Sequence, residues 1–163
     1  MYRHFSTVAD LGLPVVLYNV PGRSSREIAV STVARLAEHP SVTAVKEAGG
    51  SVDRVSRIRD ACGITVLSGD DSLTLPMMAV GASGVVSVAS NVIPGEMSEL
   101  VGSALSGNWA RAMELHASFY CLMRDLFVDT NPIPVKAALA MMGLSKNVLR
   151  LPLCELGDED AAT

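Results

Sequence analysis

The sequence is poor in charged and aromatic residues, and it carries no excess of basic side chains. Charged residues make up 18% of its 163 positions and aromatic residues 4%, whereas hydrophobic residues make up 49%. A disordered chain needs the opposite balance, so a folded chain with a core is expected. Acidic residues (17) outnumber basic ones (13), which gives a net charge of −4. Because binding to DNA or RNA requires a basic surface, we expect no nucleic-acid partner.

Long apolar segments, metal-ligand patterns and nucleotide fingerprints are missing as well. No stretch approaches the roughly 18 apolar residues of a membrane-spanning helix, so no membrane role is expected. No G-x-G-x-x-G motif occurs, and the cysteines and histidines are scattered without metal-ligand spacing, which predicts neither a metal nor a nucleotide cofactor. Cys62, Cys121 and Cys154 are too few for a disulfide framework. They favour a reducing cytoplasm, in which each is a small core residue.

Short apolar segments rich in valine alternate with helical patterns through the first two thirds of the chain. Such segments predict buried parallel strands joined by crossover helices, which is an α/β fold with about four βα units. The helix after the second strand places Val52, Val55 and Ile58 on one face and its arginines, Arg54 among them, elsewhere. The predicted strands are Leu13–Val20, Val42–Glu47, Ile64–Gly69 and Gly84–Ser90.

The pattern changes after Gly107. Apolar residues at helical spacing from Trp109 to Phe127 predict a helix of about five turns, and a further helix follows a turn at Asn131–Pro134. Because a (β/α)₈ TIM barrel needs about 250 residues and eight strands, the chain is expected to be the second half of such a barrel plus a C-terminal helical domain. The predicted boundaries are 1–107 for the half barrel, 108–156 for the helical domain and 157–163 for a disordered acidic tail.

The carboxyl ends of barrel strands hold the chemistry of this fold, and Lys46 ends the second strand. A partly desolvated lysine there has a lowered pKa and can act as a nucleophile toward ketones, although a lysine at a strand end can also simply reach into solvent. Tyr18 ends the first strand and can either relay protons or serve as an ordinary packing residue.

Three charged residues near these strand ends are also open to two interpretations. Arg23 follows in a Pro-Gly loop, where its guanidinium can bind a substrate carboxylate or remain a solvated loop charge. Asp70 and Asp71 form a carboxylate pair after the third strand. They also stand where a helix begins, and we favour helix capping for them.

Five motifs, in order and at the expected spacing, resemble the dihydrodipicolinate synthase family of the class I pyruvate aldolase superfamily, which also includes N-acetylneuraminate lyase. The resemblance covers about residues 1–156. The motifs are YNVPGR (Tyr18–Arg23), VKEAGG (Val45–Gly50), LSGDD (Leu67–Asp71), GVVSVASNV (Gly84–Val92) and NPIPVK (Asn131–Lys136).

This resemblance implies roles for particular residues. Lys46 would be the Schiff-base lysine, Tyr18 the catalytic tyrosine and Arg23 the ligand of the second substrate's carboxylate. The backbone around Gly69 and Val86 would line the pyruvate site. The implied enzyme is a carbon–carbon lyase without metal or organic cofactor. It would condense pyruvate with aspartate 4-semialdehyde, a small carboxylate aldehyde, in lysine and diaminopimelate biosynthesis.

The resemblance also implies that the first half of the barrel is missing, and with it a Thr-Thr pair of the proton relay and a tyrosine from a neighbouring subunit. Three hypotheses follow. Another chain or self-association completes the site; the chain is a non-catalytic half barrel, either an assembly element or vestigial; or it belongs to an aldolase acting on a sugar acid.

A half barrel exposes strand edges and the inner faces of its strands. We expect that face to carry Val15 and Leu17, or the residues that alternate with them, together with Val45, Val66 and Val86, and most of these to meet water in a monomer. The chain should therefore form a homo-oligomer or pair with a missing half barrel.

Overall fold

Strands and helices alternate along the first part of the chain, as the sequence predicts. The structure is a computed structural model that describes residues 1–161. Its internal contacts divide the chain into two units, Met1–Val86 and Ser87–Thr163. The boundary predicted from the sequence, at residue 107, lies further along the chain, and the assignment of domains remains a prediction.

The first unit holds a sheet of three parallel strands in the order β1-β2-β3. The strands are β1 (Val15–Asn19), β2 (Val42–Glu47) and β3 (Thr65–Ser68). The helices are α1 (Tyr2–Ala9), α2 (Pro21–Ser24), α3 (Val30–Ala37), α4 (Val52–Ala61) and α5 (Thr74–Ala79), the last preceded by a 3₁₀ turn at Asp71–Leu73.

Local sequence explains where these elements begin and end. The Ser51 hydroxyl accepts a hydrogen bond from the Arg54 backbone amide at 3.3 Å and so caps α4, and an extended Cys62 ends the same helix. Helix α3 ends at Ala37, three residues before Pro40. Proline cannot continue a helix, so α3 cannot extend through this position. The segment with Pro21 and Gly22 was predicted to be a loop. It instead forms α2, a single helical turn with Pro21 at its first position.

The sheet has two distinct faces, because side chains alternate along each strand. Where all three strands pair, the covered face is fully buried, with 0% exposure at each of six positions: Leu17, Asn19, Val45, Glu47, Val66 and Ser68. The open face is more accessible, with Val16 49% and Tyr18 43% exposed. Its six positions are Val16, Tyr18, Ala44, Lys46, Thr65 and Leu67.

This alternation corrects the expected inner face. Leu17, Val45 and Val66 do not meet water, because they pair with one another across the three strands on the covered face. Lys46 follows Val45 directly, so the two side chains must point to opposite faces. Of the apolar residues predicted to be exposed, Val86 is exposed and Val15 is half-buried.

The prediction of a full fourth strand at Gly84–Ser90 is wrong. Only Val85 forms a parallel bridge, to Ser68, and Ser68 exchanges 2.8 Å hydrogen bonds with Gly84 and Val86. The segment then turns, because the Ser87 hydroxyl accepts from the Ser90 amide at 2.8 Å and the Ser90 hydroxyl donates to the Ser87 carbonyl. Such local serine bonds compete with a strand ladder.

The second unit is helical in the part of the chain that the structure describes. Asn108 caps the longest helix, accepting a 3.3 Å hydrogen bond from the Arg111 amide. The unit contains a 3₁₀ turn (Ala89–Asn91), α6 (Pro94–Leu105), α7 (Trp109–Asp125), α8 (Ile133–Met141) and α9 (Asp158–Ala161). The helix α9 lies within the predicted acidic tail, whose last two residues, 162–163, fall outside the described residues.

The cysteines are not core residues, which corrects the expectation from their scarcity. Cys62 is half-buried, while Cys121 and Cys154 are exposed, and all three are free thiols. Cys62 follows the last turn of α4, where the chain leaves the helix, and its burial is therefore incomplete. Within residues 1–161, no helix is long and apolar enough to cross a membrane.

Candidate active site

Lys46 and Tyr18 lie side by side at the carboxyl edge of the sheet. They are register partners on the parallel strands β2 and β1, and both belong to the open face. The Lys46 Nζ lies 4.3 Å from the centroid of the Tyr18 ring. A cation over an aromatic face is attracted by the negative charge density of the ring. The half-buried lysine side chain is therefore held over a partly exposed tyrosine.

Gly69 packs against the lysine stem. A Cβ at this position would come within 2.5 Å of the Ala48 Cβ and 3.1 Å of the Lys46 Cε. The Gly69 amide also donates a 2.7 Å hydrogen bond to the Glu47 carbonyl, which draws the loop after β3 against the end of β2. Any side chain here would collide with Ala48 and crowd the lysine, so the close approach requires glycine.

Val86 lies at the same end of the sheet, one residue beyond the bridge at Val85. Its amide donates a 2.8 Å hydrogen bond to the Ser68 carbonyl, and its side chain is exposed. The structure thus brings four predicted site residues to the carboxyl ends of adjacent chain segments: Tyr18, Lys46, Gly69 and Val86.

Arg23 lies in α2, directly after β1, with an exposed side chain. The turn ends at Ser25, which has a φ of 54°. A left-handed backbone is unfavourable for a residue with a Cβ, and such strain is found at ligand-binding loops. Binding of a carboxylate by Arg23 remains a prediction.

Asp70 occupies the N-cap position of the 3₁₀ turn, but its side chain does not cap the turn as the sequence favoured. In the described part of the chain its side chain makes no capping bond to the 3₁₀ turn, and it accepts a hydrogen bond from the Gly50 amide instead. Burial raises the pKa of the Asp70 carboxyl, opposed by that amide; the charges of Glu47 and Asp71 raise the pKa further and Lys46 lowers it. The loops after β2 and β3 are joined by this contact.

A buried polar network, which the sequence motifs do not predict, lies directly behind the lysine and the tyrosine. We define it as the side chains of Asn19, Glu47 and Arg54. The Glu47 Oε1 accepts from the Asn19 Nδ2 at 2.6 Å and from the Gly49 amide at 2.9 Å, and its Oε2 accepts from the Arg54 Nε at 2.7 Å. Both carboxylate oxygens thus have hydrogen-bond donors, although Glu47 has no exposed surface.

The same network reaches the segment between α2 and α3. The Ile28 amide donates to the Asn19 Oδ1 at 2.9 Å, and Arg54 donates to the Ile28 carbonyl. Arg54 is only 3% exposed, which corrects its expected place away from the buried side of α4. A second contact joins the Arg54 Nη1 to the largely exposed Glu27 at 3.2 Å.

A signal for this network was present in the sequence. Asn19 and Glu47 each end an apolar strand and directly follow Tyr18 and Lys46. If the lysine faces an open site, its neighbour must face the covered side, where a carboxylate needs a buried cationic partner. An arginine seven residues on, in the first turn of the next helix, supplies that partner.

The arrangement provides a primary amine, a phenol beside it and a glycine, Gly69, packed against the stem of the amine. An amine of this kind can add to a carbonyl carbon and form an imine, and a phenol can carry the protons that such a step moves. Among residues 1–161, no three His, Cys, Asp or Glu side chains are grouped so that they could hold a metal ion.

The fold and the site define a parallel α/β protein that presents a lysine amine beside a tyrosine at the carboxyl edge of its sheet. The chain belongs to the dihydrodipicolinate synthetase family, whose sequence profile matches residues 1–163. The resemblance drawn from the five motifs is thereby confirmed.

Three similar proteins are synthases by name. The 4-hydroxy-tetrahydrodipicolinate synthase of Pelobacter propionicus is 49% identical over 166 residues, which cover 100% of this chain and 57% of that protein. The structure of the same enzyme from Methylacidiphilum fumariolicum SolV has a TM-score of 0.97 at 51% identity, covering 99% of this chain and 55% of its own. The chloride-inhibited dihydrodipicolinate synthase of Acinetobacter baumannii, complexed with pyruvate, has a TM-score of 0.95 at 38% identity, with 99% and 56% covered.

The chain therefore spans little more than half the length of the proteins it matches. Its fold agrees closely with the corresponding part of those proteins, as the TM-scores above 0.9 indicate.

Proposed function

We propose that this chain carries the Schiff-base lysine of a dihydrodipicolinate synthase-type lyase, which condenses pyruvate with aspartate 4-semialdehyde in lysine and diaminopimelate biosynthesis. The observation that supports this most directly is the Lys46 Nζ, 4.3 Å from the Tyr18 ring at the carboxyl edge of a parallel sheet. The names of the relatives favour the synthase over a sugar-acid aldolase of the same superfamily.

The first half of the proposed reaction is formation of an imine. The neutral Lys46 amine attacks the ketone carbon of pyruvate, and a C–N bond forms while the carbonyl electrons move to oxygen. The carbinolamine then loses water, which leaves a protonated imine on the lysine. Tyr18 is placed to accept and return the protons of these steps, because its phenol both donates and accepts hydrogen bonds.

The second half joins the two substrates. Loss of a proton from the pyruvate methyl group converts the imine to an enamine, whose carbon attacks the aldehyde of the second substrate. We propose that Arg23 binds the carboxylate of that substrate, and that the backbone around Gly69 and Val86 lines the pyruvate site. The glycine at position 69 lets the loop after β3 lie directly against the Lys46 stem, because a Cβ there would be 3.1 Å from the Lys46 Cε.

We further propose that the chain is half of a (β/α)₈ barrel with a C-terminal helical domain, and that it works in an assembly. Three parallel strands, a bridge at Val85 in the place of a fourth strand, and relatives of nearly twice the length support the half barrel. The exposed Val16 and Val86 favour pairing with a second copy or a complementary half barrel. Light scattering measures the mass of the chain in solution. A mass of 17.1 kDa, that of a monomer, together with cooperative thermal unfolding, would contradict this assembly.

Trapping with borohydride tests the proposed chemistry. Incubation with pyruvate, reduction and peptide mass mapping should place the adduct on Lys46 and on neither of the other two lysines, Lys136 and Lys146. Lys46→Arg should abolish labelling, whereas the matched Lys136→Arg should leave it unchanged. A label on Lys136 would refute the assignment, and an unlabelled chain would favour the non-catalytic half barrel.

The three free thiols are consistent with a reaction that takes place in the cytoplasm.

A further inference from the structure

We infer that the buried polar network is a positioning device, which holds the Lys46 amine over the Tyr18 ring. The inference deepens the proposed function and rests on it for the chemistry of Lys46. The network itself touches no substrate, because it lies on the covered face of the sheet and the amine lies on the open face.

The sequence joins each reactive side chain to one member of the network. Tyr18 precedes Asn19 and Lys46 precedes Glu47, and the two pairs are in register across β1 and β2. A hydrogen bond of 2.6 Å between the Asn19 amide and the Glu47 carboxylate therefore fixes the last rung of the ladder. A slip of one residue would break that bond and would also move the lysine to the covered face.

Stability alone does not account for such a network. Glu47 and Arg54 are 0% and 3% exposed, so both charges are removed from water. Replacing a buried ion pair by apolar side chains of similar volume is often neutral or stabilising, because the desolvation of both charges is then avoided. What an apolar pair does not supply is a set of directional bonds, and these join the ends of two strands to α4 and to the backbone of Ile28.

The loop after Lys46 is fitted to the network. A Cβ on Gly49 would lie 2.7 Å from the Glu47 Oε1 and 3.3 Å from the Asn19 Nδ2. An alanine there must therefore displace the carboxylate or the loop. The backbone φ of Gly49 is not in the left-handed region, so the effect of the substitution is steric. Gly63 is a matched control, because a Cβ on it meets no atom within 4 Å and its φ is likewise ordinary.

The position of the amine can be measured without any substrate. Reductive methylation of the full chain with ¹³C-formaldehyde labels its three lysines and the N-terminal amine. The ring current of Tyr18 should displace the NMR signal of Lys46 from those of Lys136 and Lys146. Lys46→Arg assigns the signal, and Tyr18→Leu should abolish the displacement. A wild-type Lys46 signal that coincides with the other two would overturn the inference.

Two variants then perturb the network, Glu47→Gln by its charge and Gly49→Ala by its shape. We expect both to lose most of the Lys46 displacement while Gly63→Ala keeps it. If the proposed function holds, both should also slow borohydride trapping by pyruvate about tenfold to a hundredfold, since a misplacement of about 1 Å costs up to that factor.

The outcomes separate the two proposals. An undisplaced Lys46 signal in the folded variants supports the network, whereas a wild-type displacement in both variants overturns it. Loss of the whole fold in both variants also overturns it, because the network would then hold the sheet rather than the amine. A third outcome is that pyruvate does not trap the wild-type chain, while the Lys46 signal loses its displacement in the variants. That outcome would remove the proposed function and leave the positioning role in place.

Discussion

Arg54→Met removes the positive member of the buried ion pair and keeps an unbranched stem of similar length. The wild-type Nε lies 2.7 Å from the Glu47 Oε2, and Glu47 has no exposed surface. The variant leaves that carboxylate with two donors, the Asn19 amide and the Gly49 backbone. Removing one partner of a buried pair costs roughly 3–5 kcal/mol, because the other charge stays desolvated without compensation. We expect the free energy of unfolding to fall by about that amount.

Two further variants separate charge from packing. Glu47→Gln combined with Arg54→Met removes both charges, so the double variant should be more stable than the sum of the single losses predicts, by about 1–3 kcal/mol. Glu27→Gln removes only the exposed partner, 3.2 Å from the Arg54 Nη1. Pairs in solvent contribute little, and this variant should cost less than about 1 kcal/mol.

Urea unfolding followed by far-ultraviolet circular dichroism measures these differences. All variants are compared at one protein concentration, since association would shift the apparent stability. The reasoning is refuted if the double variant equals the sum of the single ones within about 0.5 kcal/mol. It is also refuted if Arg54→Met costs no more than Glu27→Gln.

Three other substitutions test single features of the site, each by thermal or urea unfolding. Gly69→Ala should cost about 1–3 kcal/mol, because its Cβ would lie 2.5 Å from the Ala48 Cβ, and a cost no larger than that of Gly63→Ala would contradict the packing. Ser25→Gly should stabilise by up to about 1 kcal/mol by relieving the φ of 54°, and a loss of stability would show that the serine is not strained. Burial raises the pKa of Asp70 above its ordinary 3.8, so its contribution to stability is present below that value and is lost as the pH rises through the folded pKa. Asp70→Asn should therefore raise the Tm at pH 7, with a gain that shrinks on acidification; a constant gain would exclude titration as the cause.

The alternation of apolar segments predicted much of the first unit. The bounds of β2, Val42–Glu47, are those expected, because Ser41 and the Gly49–Gly50 pair frame an apolar run. The strand β1 is shorter than predicted, since Leu13 and Pro14 lie outside it and are exposed. The same alternation predicted Tyr18 and Lys46 near the carboxyl ends of the first and second strands, which are neighbours in the sheet.

Residue propensity predicts a fourth strand that the structure does not form beyond the bridge at Val85. The segment Gly84–Ser90 is rich in valine, yet Ser87 and Ser90 bond to each other and bend the chain. The buried polar network was missed for a different reason. The helical pattern predicted Arg54 on the solvent side of α4 because arginine is charged. The alternation along β2, which turns Glu47 away from Lys46 toward α4, was not used in that prediction.

The opposite orientation of Lys46 and Glu47 limits how β2 can change in length. Inserting or deleting one residue within the strand would send the carboxylate to the open face and bury the amine under the helices. Two residues would restore the orientation but move the lysine about 6.6 Å along the strand, at 3.3 Å per residue, away from the tyrosine. Length variation among related chains should therefore collect in the loops around this strand, and an alignment that opens a gap inside Val42–Glu47 has misplaced it.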